Sequence, residues 1–491
     1  MSPSLIRRLL SLVKTRAPNL LRAMVRTFFY ILRIVVSFIL LPVDNVVLVA
    51  AYFVKLLTRP WSAAYRRRSA IRKDAQFDQK TVLITGINSR QGLALARRWY
   101  FEGHRVIGAE WADIAVRSGE SKSTTLAAFY DIPKPRYIYR LLEIIHREKV
   151  DLWIPCAEQV DVMFDATVKQ TIESRTHCRC VHLDPELTKR FESPGKLRQF
   201  LVDKDLPVLE KHQVQSRDSV HKILHRSPSK VYLMWKPGGP VSRVDASSSD
   251  MVLSLPKRTM SMTYSEISEV HINKDNPWVL QQESRLGEYF AEMLVIQGSV
   301  KAITIRPGKQ LSEWGTSRLD QGLASAIHRL MDRFARNSGR RLTSHLCVHM
   351  VVDEEFQDNH VRQVVHITGC QQGAAACENL LCDPPSTIIA GYLSLLSPSN
   401  EVVGEHASDH VETLIIAPAC SPSQNRIQYS HALEPVPLVS SLARACEEIA
   451  FEVRQLPFWR DERFSRLDPF PWWWHAHVYT PFRQLDRIFS H

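Results

Sequence analysis

The chain has 491 residues, of which 45% are hydrophobic and 23% are charged, and its formal net charge is +12. This length predicts two or three folded domains, and the apolar content argues against a disordered chain. The nine cysteines are odd in number and form no Cys-x-x-Cys pair. That pattern argues against a disulfide framework and a structural zinc site, and it favours a reducing, cytosol-facing compartment.

Residues 1–75 form a basic segment around one apolar stretch. The stretch is IVVSFILLPVDNVVLVAAYFV, 21 residues at positions 34–54, and about 20 apolar residues span a bilayer. Lysines and arginines flank it on both sides, which fits anionic lipid better than nucleic acid. The sequence therefore predicts membrane lipid as a partner, no nucleic acid, and a globular part that faces the cytosol.

Polar residues at the centre of this stretch leave its form open. Pro42, Asp44 and Asn45 lie where polar groups are costly in a bilayer. One form is a single kinked transmembrane helix, and another is a hairpin or in-plane pair of helices turned at PVDN. The equally basic flanks favour the hairpin. A buried helical pair in a soluble domain is a third alternative.

From residue 80 the pattern changes to alternating strands and helices. TVLITGINSRQGLALARRWYFEGHRVIGAEW predicts a βαβ unit, and YIYRLLEIIHREK and VDLWIPC add a helix and a strand. We expect a parallel sheet with covering helices. The turn after the first strand has Gly86 and Gly92 but not the GxGxxG spacing, and no Tyr-x-x-x-Lys pair follows, so a nicotinamide reductase is disfavoured.

The second half of the chain predicts a mixed α+β domain. A helical region at 185–210 precedes the strand KVYLMW, a loop rich in Gly and Ser, and a hairpin that turns at Gln297-Gly298. A helix at about 320–338 then leads to strands at 345–352 and 361–368. The C-terminal DPFPWWWHAHVYTPF has three consecutive tryptophans, which suit a core, a lid or a membrane-surface anchor.

These motifs, taken in order, resemble the ATP-grasp superfamily, close to the carbamoyl-phosphate-synthase-like carboxylate ligases and in particular to fungal ATP-grasp proteins of secondary metabolism. The resemblance covers about residues 80–385, where VDLWIPCAEQVD is similar to the family's D-x-x-I-P-x-x-E-E segment. It implies an α/β and α+β fold. A membrane-associated helical segment (1–75) precedes a parallel pre-ATP-grasp domain (76–184), a two-lobed ATP-grasp domain (185–400) and a Trp-rich C-terminal extension (401–491).

The resemblance also implies ATP as the cofactor and a set of residues that bind it. Lys236 in YLMWKPGG matches the strand lysine, and Lys196 in SPGKLRQF matches an upstream lysine. Both would neutralise phosphate charge. The remaining implied positions are Gly238 and Gly239 in the phosphate-covering loop 238–250, Gln281 and Gln282 in the adenine hinge 277–283, and Glu288 at the ribose or a substrate amine.

The metal-binding motif of the family departs from its pattern in this sequence. The resemblance implies Mg²⁺ ligands at His349 and Thr368, with Cys370 in place of the motif's asparagine, so the expected carboxylates are absent. In VVHITGCQQG, strand alternation predicts that His366, Thr368 and Cys370 share one face. Three explanations stay open. ATP and a displaced acid such as Glu378 hold the metal, or turnover is lost, or His349, His366 and Cys370 bind a softer metal.

The predicted function is ATP-dependent activation of a small carboxylic or amino acid for amide or thioester formation in secondary-metabolite biosynthesis. The alternative is a catalytically degenerate ATP-grasp-like scaffold that tethers pathway enzymes to a membrane. The sequence identifies neither the substrate nor a catalytic residue.

Overall fold

The structure is a computed structural model that describes residues 3–111, 116–158, 160–227, 230–236, 253–257, 259–274, 276–283, 287–308, 319, 321–357, 360–382, 387–396, 414–416, 461 and 463–489. The chain divides into two compact units. The first unit comprises residues 1–181, 381–389 and 435–491, and the second comprises residues 182–380 and 390–434. The four-part division expected from the sequence stays a prediction.

The first unit begins with two helices, α1 (Pro3–Thr58) and α2 (Ala63–Lys73). Helix α1 runs without interruption through Pro42, Asp44 and Asn45, so the predicted hairpin turn at PVDN is wrong. Its part Tyr30–Thr58 is long and apolar enough to cross a membrane. The equal basicity of the two flanks does not decide the form of the segment, because Asp44 and Asn45 find polar partners that let the helix continue. In the structure, both residues contact side chains near the C-terminus.

A five-stranded parallel sheet forms the centre of the first unit, in the order β3-β2-β1-β4-β5. Its elements are β1 (Thr81–Thr85), α3 (Arg90–Phe101), β2 (Arg105–Trp111), β3 (Ala128–Ile132), α4 (Tyr137–Glu148), β4 (Leu152–Pro155), α5 (Val162–Arg175) and β5 (Arg179–Cys180). Apolar side chains of the strands and of α4 and α5 form one core. The predicted parallel sheet with covering helices is confirmed.

The second unit contains two sheets, of which the smaller is antiparallel and the larger is antiparallel except for the parallel pairing of its edge strand β14 with β11. The smaller has the order β6-β9-β7-β8, and a core that includes Tyr232 and Leu280 lies between its strands and helices α8 and α9. Its elements, with the two helices before them, are α6 (Pro185–Glu192), α7 (Pro194–Asp203), β6 (Lys211–Val214), α8 (Arg217–Arg226), β7 (Tyr232–Trp235), β8 (Leu253–Leu255), α9 (Met260–Glu269) and β9 (Trp278–Gln282).

The larger sheet of this unit has the order β13-β12-β10-β11-β14. Its elements are β10 (Gly287–Ile296), β11 (Ser299–Pro307), α10 (Gln321–Ser338), β12 (Ser344–Gln357), β13 (His360–Gln372), α11 (Glu378–Cys382), α12 (Ile388–Leu393) and β14 (Leu414–Ile416). Strands β10 and β11 form the predicted hairpin, in which Gln297 (φ 49°) and Gly298 (φ 77°) adopt the left-handed geometry of a tight turn. The predicted fold class is confirmed.

The C-terminal segment folds onto the first unit. It contains α13 (Phe470–Trp474), a π-helical turn (His475–Tyr479) and α14 (Thr480–Phe489), which together form the C-terminal helix, residues 470–489. Trp472 is buried against Phe464, whereas Trp473 and Trp474 are half-buried. One of the three tryptophans is therefore a core residue.

Two buried ion pairs fix this segment in place. Arg97 on α3 binds Asp468, and Arg463 binds Glu120, whose side chain is fully buried. Burial alone raises the pKa of Glu120, but the charges of Arg463 and His475 lower it to about 2. The acid is therefore ionised at neutral pH.

Candidate functional site

One face of the larger antiparallel sheet carries polar side chains, and the opposite face carries the core. On β10, Glu288, Phe290 and Glu292 alternate with the buried core residues Tyr289, Ala291 and Met293. Strand pairing places His349 opposite Phe290 and Arg306 on the other side of it. We call this surface, defined by Glu288, Phe290, Glu292, Arg306 and His349, the polar sheet face.

His349 and Thr368, two predicted metal positions, lie together at this face. The Thr368 hydroxyl donates to the carbonyl oxygen of His349 at 3.1 Å, and the His349 ring packs edge-on against Phe290 at a centroid distance of 4.6 Å. Burial and the nearby charge of Arg306 lower the pKa of His349. A neutral imidazole and a hydroxyl group thus stand where the family's pattern has carboxylates.

Cys370 points to the other side of the sheet. The pairing of β12 and β13 shifts register between His349 and Met350, so Thr368 is the extra residue of a β-bulge. Beyond the bulge, Gly369 faces His349 and Cys370 packs against the core. The prediction that His366, Thr368 and Cys370 share one face is therefore wrong for Cys370, because one inserted residue reverses the alternation.

The acids of this region do not form a magnesium site. Both carboxylate oxygens of Glu292 are already used: Arg306 Nε and Asn379 Nδ2 lie 3.0 and 2.6 Å from one, and the backbone N–H of Leu380 donates to the other at 3.0 Å. Among the described residues, no group of three or more His, Cys, Asp or Glu side chains is arranged to hold a metal ion. The soft-metal set of His349, His366 and Cys370 is thus not formed, and the residues present do not fit Mg²⁺, which prefers several hard oxygen ligands.

The two predicted phosphate-binding lysines are both exposed. Lys236 directly follows β7, and Lys196 lies in the first turn of α7. Gly238, Gly239 and the whole loop 238–250 lie outside the described residues. An exposed lysine directly after a buried strand suits a phosphate ligand, because its ammonium group stays free while the strand fixes its backbone.

The predicted adenine hinge lies at the end of β9. There, the side chain and the backbone N–H of Gln282 already form hydrogen bonds within the protein. Gln282 is buried, its Nε2 donates to Asp353 Oδ2 at 2.9 Å, and its backbone N–H donates to Glu210 at 2.9 Å. Gln281 is half-buried, and Glu288 is exposed at the start of β10. The side chain and N–H of Gln282 thus serve the fold, which leaves Gln281 as the freer of the two glutamines.

A second group of polar residues, not identified from the sequence, lies in the first unit where the strand order reverses between β1 and β4. Ligands of open parallel sheets bind at such a reversal. Asp165 on α5 and Gln91 on α3 are buried there, and among the described protein atoms Asp165 Oδ1 and Gln91 Oε1 have no hydrogen-bond partner. Gly86 (φ 71°) closes the turn after β1, and a side chain there would overlap Ala157. In the sequence, only the acid itself, in VDVMFDATV, could have indicated this group.

We predict that Asp165→Asn removes a pH dependence of stability. Burial raises the pKa of Asp165 to about 8, whereas an unfolded aspartate titrates near pH 4. Between these values the folded state holds one proton more than the unfolded state, so the free energy of unfolding falls as pH rises, by up to about 1.4 kcal/mol per unit. In denaturant unfolding, the free energy of unfolding of Asp165→Asn should therefore rise relative to that of the wild type as the pH increases from 5 to 8. A constant difference between the two proteins would contradict the prediction.

The comparisons with known proteins give matches in structure only. No family model and no curated protein sequence matches the chain. The biotin carboxylase subunit of pyruvate carboxylase matches with 10% identity and a TM-score of 0.44, over 60% of this chain and 64% of that chain. A biotin carboxylase from Campylobacter jejuni matches with 13% identity and a TM-score of 0.39, over 68% and 74%. An L-amino acid ligase from Bacillus licheniformis matches with 11% identity and a TM-score of 0.36, over 62% and 68%.

These are ATP-grasp proteins. They belong to the superfamily that the sequence motifs predicted. This chain spans less than two thirds of the length of the first of them. With TM-scores below 0.5, the similarity assigns no activity, ligand or partner to this chain. The fold class rests on the sheet topology described above.

Proposed function

We propose that the protein is an ATP-dependent carboxylate ligase of the ATP-grasp type. The observation that supports this most directly is the position of Lys236. It is exposed and follows a short buried strand of the smaller antiparallel sheet, β7, which pairs antiparallel with β9. Lys236 therefore lies beside the start of β9, whereas Gln281 and Gln282 at the end of β9 lie beside the start of β7. A lysine fixed at such a strand end can neutralise ATP phosphates, while the neighbouring strand seats the base.

The chemistry would proceed in two steps. A carboxylate oxygen of a small carboxylic or amino acid attacks the γ-phosphorus of ATP, which forms an acylphosphate and releases ADP. An amine or thiol then attacks the acyl carbon, phosphate leaves with the electron pair of the broken C–O bond, and the nucleophile loses its proton. Lys236 and Lys196 would bind phosphate oxygens, and Glu288 would bind the ribose or a substrate amine.

Among the described residues, His349 and Thr368 supply no carboxylate that could hold Mg²⁺ beside these phosphates. That absence favours the second candidate function, an ATP-grasp-like protein without turnover that holds pathway enzymes at a membrane. The ligase must bind ATP and produce ADP, whereas the scaffold produces no ADP.

We also propose that the protein is membrane-associated and acts in secondary-metabolite biosynthesis, with its globular part in the cytosol. Support for the first point comes from the helix Tyr30–Thr58 and from the basic residues on either side of it. Support for the pathway comes from the resemblance of the sequence motifs to those of the fungal group.

Lys236→Ala is expected to weaken ATP binding at least tenfold, the loss typical of one charge-assisted hydrogen bond, about 1.5–3 kcal/mol. Isothermal titration calorimetry of the full chain in detergent, with and without Mg²⁺, measures this effect. Lys189→Ala, which removes an exposed lysine on α6, is the matched control and should bind ATP like the wild type. Equal affinity of all three proteins would contradict the assignment of Lys236, and no ATP binding by the wild type would contradict the ligase and leave the scaffold as the better account.

A further inference from the structure

The segment Tyr30–Thr58 of α1 has two different sides. Large apolar side chains recur on one side at spacings of three and four residues, which is the pattern of a single helix face. Six of them are 45–69% exposed, namely Val35, Phe38, Ile39, Val46, Val49 and Phe53. We call this surface the apolar face of α1. It continues along the helix, unlike the scattered single apolar side chains of an ordinary protein surface.

The charged side chains of the segment lie on its opposite side. Arg33, Asp44 and Lys55 are the charged residues between positions 30 and 58, and each is eleven residues from the next. Eleven residues complete about three helical turns, so all three side chains point in nearly the same direction. Asp44 is buried and the other two are half-buried. The apolar face therefore carries no charge.

The C-terminal helix lies along this charged side. The Ser37 hydroxyl donates to the carbonyl oxygen of Ala476 at 3.0 Å. Further along α1, Asp44 Oδ2 lies 2.9 Å from His477 Nε2. The polar groups in the middle of α1 are thus covered by protein, and the apolar face points away from the C-terminal helix.

The same C-terminal helix also contacts the globular part of the first unit. Trp474 Nε1 donates to the carbonyl oxygen of Arg117 at 3.1 Å, and the ammonium group of Lys122 lies 4.7 Å from the Trp474 ring. His475 Nδ1 lies 3.6 Å from the carboxylate of Glu120. If α1 crossed a bilayer, its middle would carry this charged loop into the hydrocarbon, where charges and open backbone are costly. The contacts therefore argue against a spanning orientation.

A basic helix follows the apolar face. Trp61 is 72% exposed in the four-residue link 59–62 between α1 and α2. The eleven residues of α2 include five basic and no acidic side chains, and Arg68 packs over the ring of Tyr100 on α3 at 3.6 Å. Indole rings favour the headgroup layer, and basic side chains favour anionic lipid. This link and α2 thus complement a membrane surface.

We propose that α1 lies in the plane of the membrane surface, with its apolar face among the acyl chains of one leaflet. Its charged side then points toward the C-terminal helix and the globular part. Asp44 and His477 lie on the side of α1 away from the hydrocarbon, and the C-terminal helix stays outside it. Trp61 and α2 contact anionic headgroups. The inference rests on the membrane association proposed above, and it adds that both ends of Tyr30–Thr58 lie on one side of the bilayer.

Protease protection tests this sidedness. The full chain with an N-terminal epitope tag is reconstituted in vesicles of phosphatidylcholine and phosphatidylserine, and trypsin is added outside. We expect the tag to be digested in every molecule whose globular part is digested, because both lie on the same side. A short tagged fragment that trypsin removes only after detergent opens the vesicles would overturn the in-plane orientation and leave membrane association standing. Failure of the protein to float with the vesicles would contradict both.

Photolabelling from the lipid shows what covers the apolar face. The vesicles contain a phospholipid with a diazirine in its acyl chain, and labelled residues are mapped by mass spectrometry. We expect at least threefold more label on Val46 and Val49 than on Leu41 and Leu48, which lie on the charged side. Equal labelling around the helix would contradict the orientation. An unlabelled α1 in a protein that forms dimers would assign the face to a second copy of the chain and overturn the inference.

A charge on the apolar face tests its contribution to membrane binding. Val46→Asp should lower the fraction of protein that floats with the vesicles by at least threefold, because binding of an in-plane helix scales with its buried apolar area. Val202→Asp, at a 52% exposed valine of α7, is the matched control and should float like the wild type. Unchanged thermal midpoints of both variants in detergent exclude unfolding as the cause. Flotation of Val46→Asp equal to that of the wild type would contradict the assignment of this face to lipid.

Discussion

Asp468→Ala is expected to lower the free energy of unfolding of the first unit by about 3–5 kcal/mol, because it leaves a buried arginine without its counter-charge. Asp468 is 1% exposed. Its Oδ2 lies 3.2 Å from Arg97 Nη2 and accepts from the Ser123 hydroxyl at 2.6 Å. Its Oδ1 accepts from the N–H and the hydroxyl of Thr124, each at 3.0 Å. One carboxylate thus joins the C-terminal segment to the parallel sheet.

The thermal midpoint of the detergent-solubilised protein should fall by roughly 10 °C in this variant, and limited trypsin digestion should release the C-terminal helix earlier. Asp131→Ala is the matched control, since Asp131 binds Arg117 in an exposed pair. Such surface pairs contribute about 0–1 kcal/mol. If both variants shift the midpoint equally, Asp468 does not hold the segment in place.

Glu292→Gln should have an effect of similar size on the second unit. Glu292 is fully buried and takes hydrogen bonds from Arg306, Asn379 and the backbone N–H of Leu380. A glutamine keeps the shape, but it puts an NH₂ group against another donor and removes the charge that balances Arg306. We expect a loss of about 3–5 kcal/mol, read as a lower thermal midpoint.

Glu288→Gln supplies the control on the same face of the same strand. Glu288 is exposed, so its replacement should change stability by no more than about 0.5 kcal/mol. Because Glu288 is proposed to bind ribose or a substrate amine, the same variant can alter ATP binding while leaving the midpoint unchanged. Equal midpoints for Glu292→Gln and the wild type would contradict the structural role of Glu292.

The fold was readable from the sequence wherever local signals decide structure. The alternation of apolar strands with helices predicted the parallel sheet, and the Gln297-Gly298 turn predicted the hairpin of β10 and β11. Both features depend on residues that are neighbours in the sequence. The face of Cys370 could not be read, since one bulge residue at Thr368 reverses the alternation after it.

The form of α1 was not readable for a different reason. Asp44 and Asn45 are unfavourable in an apolar helix when only their neighbours in sequence are considered, but their partners His477 and Trp473 are more than 400 residues away. The buried acid Asp165 was missed for a similar reason, because its pKa depends on burial by elements that the sequence does not place around it. Contacts distant in sequence decide both cases.

The most direct test of the nucleotide site is photolabelling with 8-azido-ATP, followed by peptide mapping of the labelled full-length protein. We expect label at the end of β9, around Gln281, and loss of that label when unlabelled ATP competes. Label confined to the turn between β1 and α3, or label that ATP does not displace, would contradict the proposal that the smaller antiparallel sheet seats the nucleotide.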